Sequence, residues 1–274
     1  MTTTLTDKRA LITGAASGIG RQTAFSFAEQ GAELWLADLD ADGVQRTALL
    51  CRKLGARAEA RELDVADAGA VAALADEVHA AGGALDVLMN NAGVGIAGRL
   101  VETEPEVWDW ALGVNVKGVV HGCRYFAPAM IDRGQGGHIV NVASAAGLFA
   151  PPGMSVYAAT KFAVVGLSES LRAELAEHDI EVTTLCPGVV NTPIVRNSRL
   201  TGELASRSGL IEKTAAAYEK RGYGPERVAQ VVRKAIEQRR GGVLPVTPEA
   251  WGLYAAKRIA PGLTARLASR NGIV

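Results

Sequence analysis

The sequence predicts an α/β fold: a doubly wound, seven-stranded parallel sheet flanked by helices, with a helical extension at the C-terminus. Three observations carry that expectation. From residue 8 onward, short apolar runs alternate with longer runs of helical periodicity, as in parallel strands joined by crossover helices. The short runs number seven, enough for a complete sheet with helices on both faces. Several helical runs close with glycine, a common helix terminator.

In chain order, strands are expected at RALIT (9–13), AELWLAD (32–38), ARAEARELD (56–64), LDVLMNNA (85–92), GHIVNVAS (137–144), EVTTLCPG (181–188) and GGVLPV (241–246). Helices are expected at 20–31, 68–82, 105–134, 156–179 and 225–242, where apolar residues recur at helical spacing. One long irregular segment, about 191–224, interrupts the alternation, and long loops in such folds are commonly functional. No repeat or interdomain linker divides the chain, so residues 1–274 are read as a single catalytic domain.

Composition narrows the partner. The chain has 274 residues, 48% of them hydrophobic, and its 29 basic and 29 acidic residues cancel. No block of like charge favours nucleic acid or an anionic membrane, which leaves a small molecule. Cys51, Cys123 and Cys186 are odd in number and far apart, so they are read as reduced thiols, and the scattered His79, His121, His138 and His178 point to no metal. The opening MTTTLTDKRA lacks an apolar leader and no run is long enough to span a bilayer, giving the expectation of a cytoplasmic protein without a transmembrane segment.

The stretch TGAASGIG places Gly14, Gly18 and Gly20 between the first strand and the first helix. Glycine is costly inside structural elements, so three together imply that something needs bare backbone. A helix N-terminus offers unpaired N–H groups and the positive end of the helix dipole, a ready site for a diphosphate. Asp38 closes the second strand about twenty residues on, where a carboxylate can hydrogen-bond an adenosine ribose. Together these features favour a dinucleotide.

The spacing resembles the TGxxxGxG cofactor motif of the short-chain dehydrogenases/reductases. NNAG (90–93), Asn115, Ser144 and YAATK (157–161) follow in that family's order. The resemblance covers about residues 8–245 and implies a Rossmann-type fold, a nicotinamide cofactor and a homodimer or homotetramer. It further implies cofactor contacts from Ser17, Ile19 and Leu39 around the glycine loop and Asp38, and from Asp64 with the Val65 backbone on the adenine side. Asn91, Ala92 and Gly93 would line the centre, and Pro187, Gly188, Val190 and Thr192 the nicotinamide end. Ser17 and Leu39 stand where a cation would favour NADP, so the cofactor is read as NAD.

Tyr157 and Lys161 are four residues apart on a helix and share a face. A nearby ammonium is expected to stabilise the phenolate, making Tyr157 a usable acid/base for an alcohol proton. Ser144 ends a parallel strand, where ligands bind in such sheets, and can orient the reacting oxygen. Asn115 stands among apolar neighbours and needs partners. Its expected role is either a structural amide bonded to backbone or, by the resemblance, the holder of a water that relays protons. Lys161, by the same resemblance, also bonds the nicotinamide ribose.

The loop Leu148–Met154 forms an apolar wall between Ser144 and Tyr157, and segment 191–224 resembles the family's substrate lid, with TPIVRNSRL and LIEKTAAAY read as short helices. Arg196 and Arg199 are read as solvated. Trp108 and Trp110 are read as core or dimer face. The extension, about 250–274, departs from many family members; its Trp251, Leu253, Tyr254, Ile259, Leu263 and Leu267 alternate with Lys257, Arg258, Arg266 and Arg270 and are expected to cover the lid or a subunit. The expected function is hydride transfer between NAD(H) and an apolar secondary alcohol or ketone, steroid-like or alicyclic. An acyl-carrier β-ketoacyl reductase and a non-enzymatic dinucleotide sensor are the alternatives; Asp38 speaks against the first and the intact Ser–Tyr–Lys–Asn set against the second.

Overall fold

Alternation of side chains along each strand divides the core into two layers. In β1 (Arg9–Thr13), Ala10 and Ile12 point to one face while Leu11 points to the other. In β2 (Glu33–Asp38), Leu34 and Leu36 oppose Trp35 and Ala37 in the same way. A sheet buried on both faces requires this, because successive side chains point to opposite sides of the pleat.

The computed structural model describes residues 4–262. Beyond β2 the chain runs through β3 (Ala58–Glu62), β4 (Val87–Asn90), β6 (Gly137–Val142), β7 (Ile180–Cys186) and β9 (Gly242–Pro245). With β1 and β2 these form a seven-stranded sheet in the order β3-β2-β1-β4-β6-β7-β9, and every pairing is parallel. The strand order reverses between β1 and β4, which opens a crevice at their carboxyl ends, the usual ligand position in such sheets.

Helices α1 (Gly18–Ala28), α2 (Ala41–Lys53) and α9 (Pro225–Glu237) cover one face, burying Phe27, Val44, Cys51 and Val232. Helices α3 (Ala68–Gly82), α5 (Gly118–Arg133) and α6 (Ser155–Leu175) cover the other, around Leu74, Phe126, Met130 and Val164. Fully burying a side chain such as Phe126 stabilises by about 1.5–3 kcal/mol.

The structure departs from the expected elements in four places. Helix α2 is an additional helix; Asp40 caps it by accepting from Gly43 N at 2.9 Å, and Val44, Ala48 and Cys51 are buried at helical spacing. The single helix expected over 105–134 is two, α4 (Pro105–Leu112) and α5, joined by a π-helical turn at Gly113–Lys117. A separate two-stranded sheet pairs β5 (Ile96–Ala97) with β8 (Arg199–Leu200). TPIVRNSRL is therefore turns ending in β8, not a helix. LIEKTAAAY does fall in a helix, α8 (Leu210–Arg221), preceded by α7 (Gly202–Ser206).

The described part of the C-terminal extension is α10 (Pro248–Ile259). It packs on α6 and the β9 edge: Lys257 Nζ lies 4.0 Å from the centroid of the Phe162 ring, Arg258 pairs with Glu169 at 4.0 Å, and Tyr254 joins the second core layer. Leu263, Arg266, Leu267 and Arg270 lie outside the described residues. Among the described residues no helix is long and apolar enough to cross a membrane.

Candidate active site

The glycine loop is built by backbone approach. Gly14 has φ +67° and Gly18 φ +52°, conformations that favour glycine, and a Cβ on Gly14 would stand 2.8 Å from Ala92 Cα. A Cβ on Gly20 would fall inside van der Waals contact of the Gly14 carbonyl. The loop is held from the side by the stretch after β4. Asn91 Nδ2 donates to Thr13 O at 2.8 Å and Gly14 O at 3.1 Å, while Thr13 Oγ1 accepts from Asn91 N at 3.0 Å and Ala92 N at 3.1 Å. Thr13 is a site residue that the glycine spacing alone does not flag.

At the start of α1, Ser17 occupies the N-cap position without a side-chain capping bond, and Ile19 packs on the first core layer. Arg21, one turn along, donates to Ala16 O. Asp38 at the end of β2 accepts from Ala16 N at 2.8 Å and Asp40 N at 3.0 Å, so its carboxylate is anchored between two loops. Leu39 is exposed beside it. Asp64 is exposed and accepts from Ala66 N at 2.9 Å; Val65 is buried. A glycine cradle at a helix N-terminus, with a fixed carboxylate at the next strand end, fits a dinucleotide in its diphosphate and ribose.

Ser144, Tyr157, Lys161, Asn115 and Gly93 converge at the carboxyl end of β6. Ser144 Oγ accepts from Ala146 N at 3.1 Å, hydrogen-bonds Tyr157, and donates to Pro187 O at 3.5 Å. Tyr157 lies in the first turn of α6, and Lys161 Nζ, one turn later, sits 5.7 Å from the centroid of its ring. A Cβ on Gly93 would be 3.1 Å from Asn115 Oδ1 and 3.4 Å from Lys161 Nζ, so only glycine leaves this junction open.

One expectation is corrected by this geometry, and one of two open roles for Asn115 is favoured. The Lys161 ammonium does not draw the Tyr157 phenol down: burial pushes Tyr157 up to about 12, with the Ser144 hydrogen bond opposing. The reason is placement, since Lys161 lies over the ring face and donates to Val142 O at 3.0 Å. Burial also pushes Lys161 down to about 8, against the pull of nearby Cys186. Asn115, fully buried in the π turn, spends its amide on the protein: Oδ1 accepts from Val94 N at 2.8 Å, and Nδ2 donates to Val94 O at 3.0 Å and Thr160 Oγ1 at 3.1 Å. Both amide protons thus have protein partners, as the structural-amide reading of Asn115 expects.

The loop after β7 forms the opposite wall. Pro187 O accepts from Ala145 N at 2.7 Å, Val190 is buried, and Thr192 lies against the glycine loop, 3.3 Å from where a Gly18 Cβ would be. Segment 191–224 is docked at both ends. Thr201 N donates to Ala97 O at 3.0 Å, and Asn191 N donates to Tyr223 O at 2.9 Å. Arg199 stacks on Trp110, 4.3 Å from the ring centroid, and Arg196 is exposed. Glu249, Arg221 and Tyr218, near this wall, carry no motif that would single them out. Among the described residues no three His, Cys, Asp or Glu side chains converge as a metal site.

Fold, glycine cradle and catalytic cluster together define the class: a Rossmann-type oxidoreductase of the kind that binds a nicotinamide dinucleotide. The short chain dehydrogenase family model matches residues 8–202, and the chain belongs to the short-chain dehydrogenase/reductase family. The chain is 42% identical over 256 residues to the "Probable oxidoreductase EphD" of Mycobacterium tuberculosis, covering 91% of this chain but 43% of that protein. It therefore spans less than half the length of that relative. It is 34% identical over 253 residues to the C alpha-dehydrogenase of a Sphingobium species, covering 90% of this chain and 83% of that protein. Among solved structures, a short-chain dehydrogenase/reductase from Burkholderia phymatum in complex with NAD superimposes with TM-score 0.86 at 36% identity, covering 95% of this chain and 96% of that chain.

Proposed function

We propose that the chain is an NAD-dependent dehydrogenase/reductase acting on a bulky apolar secondary alcohol or its ketone, of steroid-like or alicyclic type. The observation that carries this reading is the convergence of Ser144, Tyr157 and Lys161 beside the Gly14–Gly20 cradle. NAD is favoured over NADP because Asp38 holds a carboxylate where a 2′-phosphate would come, with Ser17 and Leu39 providing no cation. Asp64, Val65, Asn91, Ala92 and Gly93 would hold the adenine side and centre; Pro187, Gly188, Val190 and Thr192 would hold the nicotinamide end. When bound, the cofactor supplies the hydride donor or acceptor.

Tyr157 is the general acid/base. A phenol pushed up to about 12 is protonated at neutral pH and ready to give its proton to a carbonyl oxygen as the carbinol forms. In the oxidative direction the same oxygen takes the hydroxyl proton. Ser144, bonded to Tyr157, orients the substrate oxygen toward it. Lys161, held on Val142 O, bonds the cofactor ribose, and Asn115 fixes the Val94 backbone behind it. Phe149 and Met154, half-buried in the loop before α6, would line one side of the substrate space while Leu148 of the expected wall is packed in the second core layer, and α7 with α8 would close the other side, excluding water. The protein works as a homo-oligomer without metal.

The test is a screen of apolar secondary alcohols and ketones with NAD(H), read by nicotinamide absorbance. Turnover confined to apolar cyclic substrates supports the reading. Activity only on acyl thioesters, or none with any carbonyl, overturns it.

A further inference from the structure

We propose that Glu249 is a positioning residue that couples lid helix α8 to the loop after β7, so that the lid and the nicotinamide-side wall of the site move together. This rests on the reading of that loop as cofactor-facing. One carboxylate serves both segments. Its Oε1 accepts from Val189 N at 2.8 Å, between Gly188 and Val190, and its Oε2 pairs with Arg221 in the last turn of α8. Gly188 permits the approach, since a Cβ there would collide with the Glu249 carboxylate and with Thr247 Oγ1.

The two charged ends are well placed before they meet. Glu249 lies in the first turn of α10 and Arg221 in the last turn of α8, positions where helix dipoles favour an acid and a base respectively. The pair is partly exposed, with side chains 29% and 36% accessible, and such pairs can open at small cost. A latch needs that property.

The consequence reaches the reacting atoms through α8. Tyr218 precedes Arg221 by three residues and shares its face of the helix. Burial raises the Tyr218 phenol, and the Glu249 carboxylate adds to that while Arg221 opposes it; Tyr218 in turn adds to the upward push on Tyr157. Fixing Arg221 therefore also holds Tyr218, one helical turn before it in α8. The pivot lies just beyond: Gly222 has φ +67°, and Tyr223 is tied to Asn191 N by its carbonyl and to Val246 O by its hydroxyl at 3.2 Å. The end of α8 can thus turn about a fixed point, with Glu249 setting its angle.

The experiment compares Glu249→Gln, Glu249→Ala and Arg221→Ala with the full chain, all checked for unchanged melting. Amide hydrogen exchange is read over 210–221, and NADH affinity by its fluorescence. Glutamine keeps an acceptor for Val189 N and loses the ion pair. Glu249→Gln and Arg221→Ala should each speed exchange in α8 about threefold or more while NADH affinity stays within about twofold, and the two changes combined should add little. Glu249→Ala should also weaken NADH by about three- to tenfold. In the wild type, NADH should slow α8 exchange, and in Glu249→Gln it should not. Unchanged α8 exchange in Glu249→Gln, or wild-type NADH affinity in Glu249→Ala, overturns the coupling alone. A wild type that binds neither NADH nor NADPH overturns the cofactor reading, and the coupling with it.

Discussion

The two walls of the crevice are built by different means. The wall around β1, α1 and the stretch after β4 is backbone against backbone, with Gly14, Gly18 and Gly20 admitting it and Thr13 and Asn91 bonding main-chain groups within it. The wall around the loop after β7, α8 and α10 is held by side chains reaching far along the chain, such as Glu249 to Val189 and Tyr223 to Val246. Backbone contact gives a rigid cradle suited to an invariant diphosphate. Side-chain ties on an exposed segment give a wall that can open, suited to substrate entry.

The sharpest break of this comparison is at the point where the walls meet. Tyr157→Phe should lower turnover by about 10²- to 10⁴-fold while NADH affinity remains near wild type, because the phenolic oxygen serves proton transfer only. Lys161→Ala should lose both. Steady-state rates with an identified substrate, beside fluorescence titration of NADH, separate the two. Intact NADH binding in Lys161→Ala would mean that the lysine does not reach the cofactor.

The rigid wall should discriminate by charge. NAD is expected to exceed NADP in kcat/KM by about 10- to 100-fold, a difference of roughly 1.4–2.7 kcal/mol, and Asp38→Ser should narrow the ratio. Equal values for the two cofactors in the wild type would remove Asp38 from the ribose site.

How legible each wall is in the sequence follows from the same contrast. TGAASGIG and Asp38 announce the cradle because its contacts depend on residue types at fixed short spacing. The strands inside the sheet are legible because burial on both faces demands largely apolar runs such as RALIT and VLMN, and the edge strand β3, AEARE, is legible by its alternation of buried alanines with charged residues. Helix α2 was within reach: Asp40 and the Val44, Ala48, Cys51 spacing announce it, although its exposed Leu49, Leu50 and Leu54 blur the periodicity. The π turn around Asn115 was not, because WALGVNVKGVV has an ordinary helical pattern and the extra residue per turn comes from Asn115 bonding Val94. Glu249 was out of reach entirely. Its partners, Val189 and Arg221, lie 60 and 28 residues away, and no local pattern encodes such pairs.

Gly20→Ala and Gly252→Ala form a matched pair across the two walls. The first puts a Cβ against the Gly14 carbonyl, where backbone must shift, and should destabilise by about 1–3 kcal/mol with loss of NADH binding. The second, inside α10 with nothing within 4 Å, should stabilise by about 0.5–1 kcal/mol through helix propensity. Urea titrations of both variants give the comparison; equal stability would mean that the cradle is not close-packed.

A separate effect lies at the opposite end of the sheet, and it isolates the fold from the site. His138, on β6 at its amino end, is buried, and its Nε2 bonds Thr183 Oγ1 at 2.7 Å, which in turn donates to Arg240 O at 2.6 Å. Burial, with Arg239 adding to it, pushes this imidazole down to about 4. The folded state therefore resists a proton that the unfolded chain accepts below its usual value near 6.5. Between those two values the unfolded state binds more protons, so stability rises with pH across the window and falls as the solution is acidified through it. Chemical denaturation at pH 7 and pH 5 should show a loss of about 1–2 kcal/mol, and His138→Gln, which keeps a hydrogen-bonding group without the titration, should remove most of that difference. Because no catalytic group lies at that end of the sheet, NADH affinity at pH 7 should be the same in His138→Gln and wild type. An acid limb unchanged by the substitution would show that His138 does not set it.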